Sequence, residues 1–310
     1  MTTNGISIIF GGACFVESTV EEVDSWLNVL ERASIKNIDT AELYGQSQFL
    51  LGKTGAPSRF TIDTKVPGGL GGDLSTAEAV FQSGKRSLEL GADKVDILYI
   101  HSPDTRLPWN ETMSGLDKLH KQGAFKRLGL SNFRANQIEE IMQTAKTNNF
   151  VLPSVYQGNY SAVARHIEVD IFPIIRKYGM AFYVYSPSAG GFLTRPTNAL
   201  NEGRFGKDTL LGKLYNSLYN KPGLVEALDV WGKIAEDEGV ERGELAYRWV
   251  VYHSKLEAKS GDGIIVGASK QQQLEVTVEW LRKGPLTDGT AGRINALWEL
   301  VNAEAPIHNV

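Results

Sequence analysis

Ile6-Ser7-Ile8-Ile9-Phe10-Gly11-Gly12-Ala13-Cys14 opens the chain with an apolar run that breaks on two glycines. A short run rich in β-branched and aromatic residues, bounded by glycine, reads as a buried strand. The residues just past the run separate two architectures. An open, doubly wound sheet with a dinucleotide site carries Gly-x-Gly-x-x-Gly after its first strand, where the backbone must approach a pyrophosphate. Gly11-Gly12-Ala13-Cys14 does not have that spacing.

Outward from this stretch, similar runs recur at residues 37–39, 60–65, 95–101, 126–130, 155–159, 181–185 and 263–266. With residues 6–10 they make eight candidate strands. Amphipathic helical patterns lie between them at 20–33, 46–51, 76–90, 112–122, 135–147, 169–178 and 224–238. A further helix at 243–253 precedes the last strand, and one at 271–282 comes after it. Strands alternating with helices imply parallel βαβ units. Eight such units in 310 residues favour closure over an open sheet. The expected fold is therefore α/β, a (β/α)8 TIM barrel forming one domain over residues 1–310. Residues 186–223, rich in glycine and proline, read as a long loop after the seventh strand, of the kind that serves as a lid or binding loop. Residues 291–301 read as an appended C-terminal helix.

Composition narrows the function. A net charge of -4 offers no electrostatic reason to expect nucleic acid or an anionic membrane as partner. No apolar stretch approaches the roughly 18 residues that span a bilayer, and the first residues lack a basic-then-apolar secretory leader. The single cysteine, Cys14, forms no internal disulfide and reads as an inert buried thiol, which fits a reducing, cytoplasmic setting. His120, His166, His253 and His308 show no metal spacing, so no metal is expected. A monomer or homodimer acting on a small molecule is the expectation.

Chemistry in such a barrel sits where the strands end at their C-terminal face. Those ends bring Asp39, Lys65 and His101 together, with Tyr44 five residues past Asp39. Each alone has a plainer reading, as a cap, a loop lysine or a structural histidine. Jointly they make a proton-transfer set for reducing a carbonyl with hydride. Lys65 is expected to lower the pKa of the Tyr44 phenol, Asp39 to fix Lys65, and His101 to orient the carbonyl oxygen.

Asn37-Ile38-Asp39-Thr40-Ala41-Glu42-Leu43-Tyr44-Gly45, Thr64-Lys65-Val66 and Leu98-Tyr99-Ile100-His101-Ser102-Pro103-Asp104 resemble, in that order, the three catalytic segments of the aldo-keto reductases. The resemblance implies an NADPH-dependent reduction of an aldehyde or ketone, with Tyr44, Asp39, Lys65 and His101 as the catalytic set. Gly129-Leu130-Ser131-Asn132-Phe133 is similar to the family segment whose Ser and Asn hold the nicotinamide carboxamide, a task that Gln157 would share. Tyr185-Ser186-Pro187-Ser188-Ala189-Gly190-Gly191 resembles the segment whose aromatic stacks on the nicotinamide and whose backbone embraces the pyrophosphate. Without the family, Tyr185 reads equally well as a core aromatic and Asn132 as a cap.

Small residues ahead of a helix start, as at Gly267-Ala268-Ser269-Lys270, leave free backbone N–H groups for an anion. In the family this turn holds the 2′-phosphate of NADPH or NADP+. The resemblance puts Gly267, Ser269, Lys270 and Gln273 there, with Arg204 as a further cation. The long seventh loop is similar to that of the aflatoxin-aldehyde reductase branch, near fungal reductases of secondary metabolism. Phe15, Trp109, Tyr215 and Tyr219 are expected to line an aromatic pocket, with His101, Trp109 and Tyr215 touching substrate. Two other classes compete with the reductase: a slow cofactor-sensing binding subunit, and a barrel isomerase or dehydratase that keeps NADP for structure.

Three departures from that branch stand out. Thr277 replaces an adenine-contacting Asn, beside Val276. Pro196 replaces a Lys, with Arg195 adjacent. Leu218 stands where an Arg, three residues after the equivalent of Tyr215, would bind a substrate carboxylate. An apolar side chain leaves a carboxylate unsatisfied. Catalytic efficiency on a short acidic aldehyde such as succinic semialdehyde is therefore expected to fall below that on a neutral aromatic aldehyde. Equal efficiencies in steady-state assays would contradict this.

Overall fold

The computed structural model of the protein describes residues 1–88, 91, 95–200, 205–206 and 209–307. Its strands are β1 (Ser7–Gly11), β2 (Asn37–Asp39), β3 (Thr61–Val66), β4 (Val95–Ile100), β5 (Phe125–Ser131), β6 (Pro153–Asn159), β7 (Ala181–Tyr185) and β8 (Gly263–Val266). They pair in sequence order, all parallel, and β8 closes on β1. The fold is a (β/α)8 barrel, and the strand boundaries read from periodicity agree to within two residues.

The helices are α1 (Val20–Arg32), α2 (Ser47–Lys53), α3 (Ala56–Arg59), α4 (Ala77–Leu88), α5 (Trp109–Lys121), α6 (Ala135–Asn148), α7 (Ile171–Lys177), α8 (Leu210–Tyr219), α9 (Pro222–Glu238), α10 (Arg242–Tyr252), α11 (Gln271–Arg282) and α12 (Asp288–Val301). Two of them lie outside the helical patterns of the sequence. α3 is a single turn with proline at its start. α8 forms inside the stretch read as loop, where Gly212, Asn216 and Ser217 weaken helical propensity. The Thr209 hydroxyl caps it by accepting from the Gly212 N–H at 2.9 Å. The long connection is thus built rather than open, with short 3-10 turns at Ala189–Thr194 and Thr197–Ala199 ahead of α8. α12 starts three residues before the appended helix that was expected. It is tied to α9 by Glu238, whose carboxylate accepts from the Thr287 hydroxyl at 2.8 Å, and by Arg293–Asp237 at 2.9 Å. No helix of the described residues is long and apolar enough to cross a membrane.

Alternation along the strands divides two cores. Ile9, Ile97, Tyr99, Val155, Tyr183 and Ile265 fill the barrel interior. Ile8, Phe10, Ile38, Leu98, Leu128 and Ile264 point outward against the helices. Bulk is matched across neighbours inside. Gly129 on β5 sits beside Tyr99 on β4, and a Cβ there would lie 2.1 Å from the tyrosine ring. Gly129→Ala is expected to destabilise the barrel by about 1–3 kcal/mol through overpacking, read as a lower midpoint in urea unfolding.

Candidate active site

Three strand ends and one loop build the polar cluster at the barrel mouth. Asp39 is the last residue of β2, and Lys65 is the next to last of β3. His101 comes directly after β4, its N–H donating to the Val66 carbonyl at 2.9 Å. Tyr44 lies in the turn after β2, held by its N–H to the Ala41 carbonyl at 3.0 Å.

Lys65 has no solvent exposure. A buried ammonium is costly unless paired and hydrogen-bonded. Its Nζ donates to Asp39 Oδ2 at 2.6 Å and to the Thr40 carbonyl at 2.8 Å. The other Asp39 oxygen accepts from Gln157 Nε2 at 2.9 Å, so Gln157 joins this cluster directly. Lys65 Nζ stands 5.2 Å from the centre of the Tyr44 ring. The His101 ring meets Tyr44 edge-on, with centroids 5.6 Å apart.

Burial opposes the charge on Lys65, but Asp39 and Tyr44 outweigh it and hold the ammonium above its ordinary range. For Tyr44 the outcome corrects the expectation from sequence. Burial is the largest influence on its hydroxyl and pushes it up; Lys65 pulls it down without cancelling that, and Asp39 and Tyr215 add to the rise. In this geometry Tyr44 is a weaker acid than a free tyrosine and remains a protonated phenol. His101 is pulled down to about 3, first by burial and then by Lys65. Its Nδ1 is buried with no hydrogen-bond partner among the described residues. The ring is therefore neutral at ordinary pH.

Around the rim the backbone is unusual. Asn132, Ser186, Ala189, Gly190 and Gly191 all have positive φ, a conformation that clusters at ligand sites because the surroundings must enforce it. At Gly190 a Cβ would lie 2.1 Å from the Tyr215 ring, so only glycine lets Tyr215 approach. Tyr215 also lies 3.4 Å from the Ser186 hydroxyl. Asn132 donates to the His101 carbonyl at 3.0 Å and to Ser131 Oγ at 3.2 Å, and accepts from the Tyr185 hydroxyl at 2.7 Å. Ser131, Asn132 and Tyr185 thus form one network with the histidine.

A cleft of about 1530 Å³ continues from this rim. Ser188, Gly190, Gly191 and Arg195 line it from the β7 side, and Gly267, Ser269, Lys270 and Gln273 from the β8 side. The Ser269 N–H and hydroxyl both donate to Gln273 Oε1, at 3.0 and 3.2 Å. Lys270 stands at the N-cap position of α11 with no side-chain cap bond, leaving the first amides of that helix for an anion. The cleft has room beyond a drug-sized ligand. With cations and a helix start on its wall, it fits an extended phosphorylated dinucleotide.

Arg242, Tyr247 and Trp280 also line the cleft and were not singled out from sequence. Gln273, Thr277 and Trp280 share one face of α11 by helical spacing, which was a usable signal; nothing local connects α10 to them. Thr277, in place of the expected Asn, turns its hydroxyl to the Gln273 carbonyl of its own helix at 2.8 Å.

The aromatic pocket is not assembled as expected. Phe15 is fully buried and packs on Phe10 and Trp26. Tyr219 is buried as well, stacked between Phe192 and Tyr215. Trp109 starts α5, where its indole N–H donates to Glu140 at 2.7 Å and its ring packs on Phe133, beside a separate hollow. Leu218 packs partly buried against the outer core. Arg204 lies outside the described residues.

The aldo/keto reductase family model matches residues 7–299. The chain is 39% identical over 304 residues to oxidoreductase sirO of Leptosphaeria maculans, covering 96% of this chain and 92% of that protein. It is 34% identical over 294 residues to human aldo-keto reductase family 7 member A3, and equally to human aflatoxin B1 aldehyde reductase member 4. Each of those matches covers 89% of this chain and 88% of the relative.

A neutral His101 has a direct consequence. Its ring resonances in NMR are expected not to titrate between about pH 5 and pH 8, where an unperturbed histidine does.

Proposed function

The chain belongs to the aldo/keto reductase family and is an NADP-dependent oxidoreductase of carbonyl compounds, and from that premise we propose that Tyr44 is its proton donor and a bulky or aromatic neutral aldehyde or ketone its substrate. The observation that carries the proposal is the fully buried Lys65, paired at 2.6 Å with Asp39 and set 5.2 Å from the Tyr44 ring.

NADPH, when bound, supplies the hydride that reaches the carbonyl carbon. The side chains and backbone that would hold it are those of the rim and cleft: Ser131, Asn132, Gln157, Tyr185, the 186–191 turn, Gly267, Ser269, Lys270 and Gln273. Negative charge develops on the carbonyl oxygen during reduction, and the chain's task is to meet it. The neutral imidazole of His101 donates its N–H to that oxygen and orients it. Tyr44 gives its phenolic proton to the same oxygen, yielding the alcohol. The phenolate left on Tyr44 faces the Lys65 ammonium, which stabilises it until a proton returns. Asp39 keeps the ammonium in place and charged. In the opposite direction the same groups take the proton from an alcohol.

Substrate preference rests on the loop after β7. Tyr215 reaches the site over Gly190, and neither Tyr215 nor Leu218 offers a cation to an acidic substrate. A relative is named for the aldehyde of aflatoxin B1, and an uncharged aldehyde of comparable bulk suits this rim.

Tyr44→Phe removes the proton and little else. Turnover is expected to fall by roughly 10²–10⁴-fold, while NADPH affinity, monitored by quenching of protein fluorescence, stays within about threefold. Near-normal turnover in this variant would refute the role of Tyr44.

A further inference from the structure

Asp63 lies two residues before Lys65 on β3, on the same inward face, and takes no part in the chemistry above. In the parallel register it stands directly across from Asp39 on β2. Two carboxyl groups therefore adjoin inside a closed barrel. Asp63 is fully buried. Its Oδ1 accepts from the Ile97 backbone N–H at 3.2 Å, and its Oδ2 has no hydrogen-bond partner among the described residues. A carboxylate with a bare oxygen in such surroundings is strongly unfavourable.

The cations within reach are already committed. Lys65 donates to Asp39 and to the Thr40 carbonyl. Arg127 on β5 donates to Asp96 at 2.7 Å and to the Tyr183 hydroxyl at 3.2 Å. The titratable groups acting on Asp63 are Asp39 from β2, Lys65 from β3, Asp96 and Tyr99 from β4, Arg127 from β5 and Tyr183 from β7. Three carboxyls thus stand against two cations, and one proton restores the balance. Burial, then Asp39 and Asp96, push the Asp63 carboxyl well above the ordinary carboxylate range.

We infer that Asp63 is an uncharged carboxylic acid and a positioning residue: it fills the space beneath the Asp39–Lys65 pair without drawing on the ammonium, which stays balanced by Asp39 alone and available to Tyr44. The link to Tyr44 rests on the proposed function; the state of Asp63 does not.

Infrared difference spectra of wild type against Asp63→Asn, recorded near pH 8, test the protonation directly. The expected result is a protonated-carboxyl C=O band in the wild type that is lost in D63N. The alkaline limb of kcat should coincide in the two proteins, because an amide replaces a group that was already neutral. Two results would overturn the inference. One is the absence of that band from the wild type. The other is an alkaline limb displaced downward by about a pH unit or more in D63N, since removing a real negative charge would make Tyr44 a stronger acid. Should D63N fail to fold, wild type labelled with ¹³C-aspartate decides alone, by the presence or absence of an isotope-shifted protonated band. Undiminished turnover of Tyr44→Phe would sink the Tyr44 mechanism and leave this band untouched, so the two failures are separable.

Discussion

An ammonium with no exposure to water, held 2.6 Å from a carboxylate, is the constraint around which the barrel mouth is organised. Removing two charges from water costs several kcal/mol per ion, and only close geometry with further hydrogen bonds repays it. That requirement ties β2, β3 and β6 together. Asp39 must end its strand where it meets Lys65, the Thr40 carbonyl must turn inward, and Gln157 must reach across to the second carboxylate oxygen. Tyr44 and His101 then find themselves beside a fixed positive charge, which helps to hold His101 neutral and offers any phenolate on Tyr44 a partner.

The rim obeys a different constraint. Five residues with positive φ bend the backbone at the ends of β5 and β7, and a glycine at 190 admits the Tyr215 ring. At Asn132, Ser186 and Ala189, which are not glycines, these bends are unfavourable in isolation. Their neighbours enforce them: Asn132 is pinned by His101, Ser131 and Tyr185, and the 186–193 turn by its own N–H bonds to Ser186 and Ser188. Gly190 and Gly191 of this rim also line the cleft that reaches the start of α11.

Much of this was legible in the residues. Strand periodicity placed all eight strands, because buried parallel strands must be apolar on both faces and glycine or polar residues must end them. The spacing of Asp39, Tyr44, Lys65 and His101 pointed to one mouth, since strand ends of a barrel share a face. Less legible was the connection after β7. α8 is held by the Thr209 cap and by tertiary contacts, such as the stacking of Tyr219 on Phe192 and its hydrogen bond with Asn159, rather than by local propensity. Phe15 and Tyr219, expected to line a pocket, are fully buried for a related reason. An aromatic near a loop is drawn to whichever apolar surface is closest, and that surface is not visible along the chain.

By itself the sequence determined the number of strands, their order, and which titratable side chains stand at their ends, because periodicity and strand termination are local properties. Only the tertiary structure decided the state of those side chains. Acidity depends on burial and on charges brought together from distant segments, so it took the closed barrel to show that burial outweighs Lys65 at Tyr44 and that His101 is neutral. It took the β2–β3 register to bring Asp63 beside Asp39.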